Sequence, residues 1–136
     1  MKVSGVMKVF LAAVILASLW TGIAHAAAMP PMHVGGIQAG YTHMASGAHA
    51  IWAVVAIHDL EHMPLPGAAV TGQWTVPPGS GGPIQRSLTD AQGRARFQIQ
   101  AFEHGQYRMC VGSVVKRGWT YASGINEITC IDIMVR

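Results

Sequence analysis

The sequence predicts an all-β sandwich of about seven short strands in a single domain. Apolar and polar residues alternate with a period of two over most of the chain, and no segment has a convincing period of 3.6. Gly, Pro, Asn and Asp interrupt the alternation at roughly 8–12-residue intervals, which is typical of a sandwich. The predicted strands are Met32–Ile37, His49–Asp59, Ala68–Thr75, Ile84–Thr89, Arg94–Gln100, Tyr107–Val115 and Glu127–Val135.

Three of these strands have a clear apolar face. Consecutive side chains of a strand point to opposite sides, so alternate positions share one face. We expect Trp52 and Val54 to lie on an outer face. The residues expected inside are Ala53, Val55, Ile57, Val70, Gly72, Trp74, Ala95, Phe97 and Ile99.

The first 26 residues are predicted to form a signal peptide. Lys2 and Lys8 give a short basic region, and Val9–Trp20 is an apolar run of twelve residues, too short for a stable membrane span. Ala24-His25-Ala26 has the small-x-small pattern of a signal-peptidase site. We expect cleavage after Ala26, leaving one secreted or periplasmic domain over residues 27–136, with no membrane insertion once the signal is removed. The alternative is an anchor left in place.

The composition excludes several classes of protein. Hydrophobic residues make up 51% of the chain and charged residues 11%, unlike a disordered, highly charged chain. The formal net charge of +3 falls to +1 without Lys2 and Lys8. The remaining cations are scattered, whereas nucleic-acid binding needs a clustered basic surface. We therefore expect no nucleic-acid partner.

Cys110 and Cys130 are the two cysteines of the chain. An isolated pair in an oxidising compartment most often forms a disulfide. The alternative, a pair of metal thiolates, lacks a Cys-x-x-Cys motif or a nearby His. Closing a loop of this length stabilises a fold by roughly 3 kcal/mol. We predict a structural disulfide.

Three segments resemble bacterial secreted immunoglobulin-like domains, of the Big or carboxypeptidase-regulatory-like kind. Asp59–Gly72 resembles their D-x-x-G-x-P-v-x-G-A-x-V-x-G segment, although Leu60-Glu61-His62-Met63 replaces the usual Asn-Gly turn. Thr89–Phe97 resembles their T-D-x-x-G-x-a-x-F turn. The segment from Cys110 through Asn126 to Cys130 resembles the closing strands of a subset often appended to secreted enzymes, and Met32-His33-Val34 resembles its opening strand. The resemblance implies an immunoglobulin-like Greek-key sandwich that serves as a binding, adhesion or structural module.

Catalysis is not expected from the residues present. There are six acidic residues, no Gly-x-Ser-x-Gly elbow and no phosphate-cradling Gly loop followed by Lys. We predict that the protein is not an enzyme and needs no cofactor.

Metal binding is the alternative function, because His and Met are adjacent at three places after residue 26. Imidazole with thioether suits copper, and imidazole also suits zinc. Neighbours in a strand point to opposite faces, so such a pair can chelate only from a loop. The four-residue spacing of His58 and His62 does not bring the two side chains together outside a helix. The candidate ligands for a periplasmic copper or zinc site are His33, His58, His62 and Met63. Cleavage after Ala24 would add a copper ligand at His25.

The predicted recognition site is the loop Lys116–Asn126, the longest connection between two clear strands. It carries Lys116, Arg117, Trp119 and Tyr121, two cations beside two aromatic rings. The partner expected for this surface is a protein or a cell-surface glycan. The alternative is that Trp119 and Tyr121 fold back as a lid over one end of the core. The oligomeric state stays open.

Overall fold

The computed structural model describes residues 28–136, so the predicted signal peptide over residues 1–26 lies outside the described residues. The described chain is all-β, with eight strands and one short 3-10 helix. The strands are β1 Pro31–His43, β2 His49–Asp59, β3 Ala69–Val76, β4 Ser80–Leu88, β5 Arg94–Ala101, β6 Gly105–Val115, β7 Thr120–Tyr121 and β8 Cys130–Val135, with the 3-10 helix at Ser123–Ile125. Over residues 28–136 we find no helix with the length and hydropathy that a bilayer crossing requires.

The strands form two four-stranded sheets that pack as a sandwich. One sheet has the order β5-β2-β1-β7 and the other the order β4-β3-β6-β8. The first, second and fifth strands therefore share one sheet, while the third, sixth and eighth share the other. This is the strand partition of an immunoglobulin-like Greek key.

Two side chains add features of that fold. Trp74, on the third strand, is fully buried between the sheets. Tyr107, near the start of β6, donates its hydroxyl to the carbonyl of Glu103 at 2.7 Å, in the manner of a tyrosine corner. The predicted sandwich is confirmed.

The predicted faces agree with the observed core. Val55, Ile57 and Ala95 have no exposed area, and Phe97 is 3% exposed. Trp52 and Val54 lie half-buried on the outer face, where the Trp52 ring occupies the space beside Gly40. Alternation was sufficient here because one face of each strand is buried.

Three strand boundaries were wrong by three residues or more, and several others by one or two. β1 continues six residues beyond Ile37 to His43, because Gly40 makes room for Trp52 and allows the pairing with β2 to continue. β4 begins at Ser80, before Pro83, since an edge strand tolerates a proline. β8 begins at Cys130, because Glu127 lies in a segment that bonds to β1 instead.

Cys110 and Cys130 form a disulfide that joins β6 to β8. They are directly opposed in the antiparallel register of these strands. The predicted bond is confirmed, and a disulfide of this kind points to an oxidising compartment. It closes the connection that contains β7 and the 3-10 helix.

Candidate metal centre

The first hairpin places two histidines side by side on the outer face of its sheet. His33 on β1 is directly opposite His58 on β2. The next pair inward, Val34 and Ile57, points into the core with no exposed area. Because successive side chains alternate, His33 and His58 both point away from the core. His33 is nevertheless only 3% exposed.

A tight turn brings a third histidine over this pair. The carboxylate of Asp59 accepts hydrogen bonds from the main-chain N–H groups of Glu61 and Met63 at 2.8 and 2.9 Å. The chain then returns to pair Pro64 with His58. His62 occupies the left-handed region, with φ of 61°, which few non-Gly residues adopt. The turn therefore holds His62 above His58 at a conformational cost.

The three imidazole rings form a nearly equilateral triangle. The ring centres of His33, His58 and His62 lie 5.8–6.2 Å apart, and each pair of rings is close to perpendicular. One nitrogen from each ring lies within 4.8 Å of the other two. We call His33, His58 and His62 the metal cluster.

The metal cluster depends on the absence of a side chain at Gly35. A Cβ atom built at Gly35 would lie 2.1 Å from Nδ1 of His58 and 2.6 Å from Cε1. The His58 ring therefore lies directly against the main chain of β1. The register of β1 and β2 shifts at this point, between Val34 and Gly36. The bulge and the glycine together make room for the ring.

Two nitrogens of the metal cluster lack partners within the described residues. Nδ1 of His33 and Nδ1 of His58 are buried and make no hydrogen bond. A buried polar atom of this kind normally has a partner, because the missing bond costs about 1–3 kcal/mol. Burial, followed by the nearby His33 imidazole, lowers the pKa of His58, while Glu127 and Asp59 act in the opposite direction. The neutral imidazole is the form that binds metals.

A carboxylate lies at the edge of the metal cluster. Oε1 of Glu127 is 3.6 Å from Nδ1 of His62, and both side chains are more than half exposed. The main chain fixes Glu127 beside His33, because its N–H donates to the carbonyl of Val34 at 3.0 Å. The Asn126 carboxamide oxygen accepts a bond from Val34 N–H at 2.8 Å. Glu127 was not among the predicted ligands, since only the folded connection after β7 brings it close.

Sequence reasoning named three ligands of this cluster and misjudged one relation. His33, His58 and His62 come together. Met63 follows His62 in the turn with an exposed side chain and stays a predicted ligand. The four-residue spacing of His58 and His62 does bring the rings together, so the expectation that it confers nothing was wrong. The cause is the Asp59 turn, which reverses the chain between the two residues. The signal available in the sequence was Asp59 at the start of the turn, because an Asp side chain often accepts bonds from the main-chain N–H groups that follow it.

A second histidine group lies at the other end of the same hairpin. His43 and His49 form the last cross-strand pair of β1 and β2, with their Nδ1 atoms 2.9 Å apart. The His104 ring centre lies 4.9 Å from that of His49. Burial, then His43, then His104 lower the pKa of His49. We call His43, His49 and His104 the rim cluster.

The residues of the predicted recognition loop have mixed surroundings. Trp119 and Tyr121 are half-buried and pack against the core. Lys116 donates from Nζ to the carbonyl of Pro66. Arg117 is exposed. The loop also contains β7, which pairs in parallel with Pro31 and Met32. A strand of two residues is too short to show a periodic pattern in the sequence.

Comparison of the chain with protein-family models, curated protein sequences and solved structures gives no match. The resemblance to bacterial secreted domains therefore stays a prediction that rests on its sequence motifs.

Proposed function

We propose that this protein binds a transition-metal ion, zinc or copper, through His33, His58 and His62. The observation that carries the proposal is the convergence of three imidazole nitrogens within 4.8 Å of one another. Imidazole is a common ligand of both metals. The buried Nδ1 atoms of His33 and His58 have no partner among residues 28–136, which is consistent with rings placed for an ion.

The site joins three different segments of the chain. His33 comes from β1, His58 from β2, and His62 from the turn that follows. Bound metal would hold the turn against the hairpin and stabilise the folded state, since the unfolded chain has no preformed site. Together with the disulfide, the proposal describes a non-catalytic metal-binding domain in the periplasm or outside the cell.

The direct test is metal binding by the purified protein in its disulfide-bonded form. At a free metal concentration of 100 times Kd, binding stabilises the fold by about 2.7 kcal/mol, which raises Tm by about 10 °C for a domain of this size. We expect this rise with Zn(II), and a stoichiometry of one ion from isothermal titration calorimetry.

A matched pair of variants assigns the effect to the cluster. His62 is 65% exposed, so His62→Ala removes a ligand with little loss of packing. His104 is also exposed but lies in the rim cluster. We expect His62→Ala to abolish the Tm rise and His104→Ala to retain it. Equal responses of the two variants, or no binding by the unaltered protein, would reject the proposal.

We also propose a binding or adhesion role for the surface beside the loop Lys116–Asn126. Trp119, Pro30, Pro31 and Leu60 line a shallow hollow of about 240 Å³, a suitable size for one apolar side chain of a protein partner. A glycan is the alternative partner, since a Trp ring can stack on a sugar. Trp119→Ala should weaken binding to cells or matrix with the fold intact. Lost stability with unchanged binding would identify Trp119 as a lid of the core only.

A further inference from the structure

We propose that Glu127 supplies the fourth ligand of the metal cluster and completes a closed tetrahedral site for Zn(II). This inference rests on the metal-binding function proposed above and names the ion that the site takes. Three features support it: the position of Glu127, the shape of the imidazole triangle, and the chemical nature of the nearby donor atoms.

Glu127 is held at the cluster by bonds that do not involve its own side chain. Its N–H bonds to Val34, and Asn126 anchors the preceding residue through its carboxamide group. The amide nitrogen of Asn126 donates to the Tyr121 hydroxyl at 2.7 Å and to Thr129 Oγ1 at 3.2 Å. The Glu127 carboxylate is therefore free to turn, while its Cα position is fixed. In this structure the carboxylate contacts His62 alone, and rotation of the side chain would bring an oxygen to a bond of about 2.0–2.2 Å with an ion shared by the three rings.

The imidazole triangle is compatible with three of the ligands of a tetrahedral ion. With Zn–N bonds of about 2.0–2.1 Å, ring centres around a tetrahedral ion lie about 5.2 Å apart, all three distances being equal. Three rings in a square plane would give two distances of about 4.5 Å and one of about 6.4 Å. The observed distances of 5.8, 6.2 and 6.2 Å are nearly equal, which rules out the square plane. A trigonal plane would also give equal distances, of about 5.5 Å, so it is the position of Glu127 that favours a fourth ligand. The His33–His58 distance does not involve His62, so ion binding would draw the cross-strand pair together as well as the turn.

Both cysteines and the buried Met32 cannot supply the sulfur donors that Cu(I) prefers. Cys110 and Cys130 are consumed by the disulfide. Met32 lies in the core with no exposed area, on the opposite face of β1 from His33. Met63 is next to His62 in the turn and 57% exposed, so its thioether remains an alternative donor. Three imidazoles and one carboxylate are instead a borderline donor set of the kind Zn(II) takes.

The test uses Co(II) as a spectroscopic probe and Zn(II) as the competitor. Four-coordinate Co(II) should give intense visible absorption in the disulfide-bonded protein, and one equivalent of Zn(II) should abolish it. Glu127→Gln should lower Zn(II) affinity about 10–100-fold and weaken the Co(II) absorption. Glu61→Gln is the matched control, because it removes the same charge from the neighbouring turn, where its side chain makes no hydrogen bond or ion pair with any residue that the structure describes.

Glu127→His separates ligation from a merely electrostatic role. It restores a fourth ligand without a negative charge, so Zn(II) affinity and Co(II) absorption should recover, with a shifted spectrum. Loss of the same size in Glu61→Gln and Glu127→Gln, or no recovery in Glu127→His, would overturn the ligand assignment while leaving the three-histidine site intact. Stoichiometric displacement of Co(II) by Cu(I) under anaerobic, thiol-free conditions would overturn the zinc assignment. Absence of any binding by the unaltered protein would instead reject the proposed function.

Discussion

The first hairpin of the sandwich has a histidine group at each end, and the two groups differ in what surrounds them. In the metal cluster, the rings of His33, His58 and His62 are spaced by 5.8–6.2 Å, and two buried nitrogens have no partner among the described residues. In the rim cluster, the rings of His43 and His49 are 4.8 Å apart, and their Nδ1 atoms are within hydrogen-bond distance, although Nε2 of His49 is also buried without a partner among those residues. Two of the rim histidines therefore bond to each other, whereas the three metal-cluster rings make no such bond.

The charges near the two clusters also differ. Glu127 and Asp59 favour the charged form of His58, and they give the metal cluster an anionic side. The charges that act on His49 come from His43 and His104, and both oppose its protonation. The comparison shows why a count of histidines is a poor guide to a metal site. The convergence of one nitrogen from each of three rings, together with a nearby carboxylate, separates a candidate metal centre from a packed group of rings.

The largest effect is expected from Gly35→Ala, which should disrupt the convergence of the three rings in the metal cluster. The new methyl group would overlap the His58 ring, and relieving that overlap costs about 1–3 kcal/mol of stability. Displacement of the ring should lower Zn(II) affinity by about 100-fold or more. Calorimetric titration measures the affinity and urea unfolding the stability.

Gly36→Ala is the control for this change. A Cβ at Gly36 would meet no atom within 4 Å, and the residue is not in the left-handed region. The variant should bind Zn(II) as the unaltered protein does. If both alanine variants bind equally well, the dependence of the metal cluster on Gly35 is wrong.

Asn126→Ala should affect the metal cluster and spare the rim cluster. It removes three hydrogen bonds, to Val34, Tyr121 and Thr129, which together stabilise the fold by about 2 kcal/mol. Release of the segment that carries Glu127 should also weaken Zn(II) binding about tenfold. Chemical denaturation and titration measure the two effects. Unchanged affinity alongside reduced stability would show that this segment contributes to the fold alone.

The sequence predicts what repeats locally and misses what the chain assembles from distant parts. Alternation was enough to orient Val55 and Ile57, because a slip of one residue would expose the whole inner face. The disulfide was predicted from the presence of two cysteines and the expected export of the chain. The strand faces and the disulfide each depend on one or two short segments.

The candidate site could be predicted only in part. His33, His58 and His62 were named as possible ligands, but the turn that joins the last two depends on the Asp59 side chain. Glu127 lies 94 residues after His33, and main-chain bonds to β1 bring it near. Gly35 matters because of one ring on another strand. No periodic pattern records such contacts.

A smaller effect separates the role of the His62 ring as a ligand from the conformational strain of the His62 main chain. The residue has φ of 61°, where glycine is favoured over other residues by about 1 kcal/mol. In metal-free protein, His62→Gly should therefore be about 1 kcal/mol more stable than His62→Ala, and neither variant should bind Zn(II). Urea unfolding in the presence of a chelator measures the difference. Equal stability of the two variants would show that the turn relaxes when the ring is removed.

The smallest expected effect is a pH dependence that belongs to the rim cluster. Burial, with His43 and His104, lowers the pKa of His49 in the folded protein, so the unfolded chain takes up a proton at a higher pH than the folded protein does. Stability contributed by neutral His49 should therefore be present above about pH 6.5 and decline as the pH falls below it. His49→Gln should show a weaker decline than the unaltered protein, both measured in urea with a chelator from pH 7.5 to pH 5. His62→Ala is the control from the metal cluster and should retain the His49 contribution. A decline of the same steepness in His49→Gln would assign the proton sensitivity to the metal cluster, where the lowered pKa of His58 acts in the same direction.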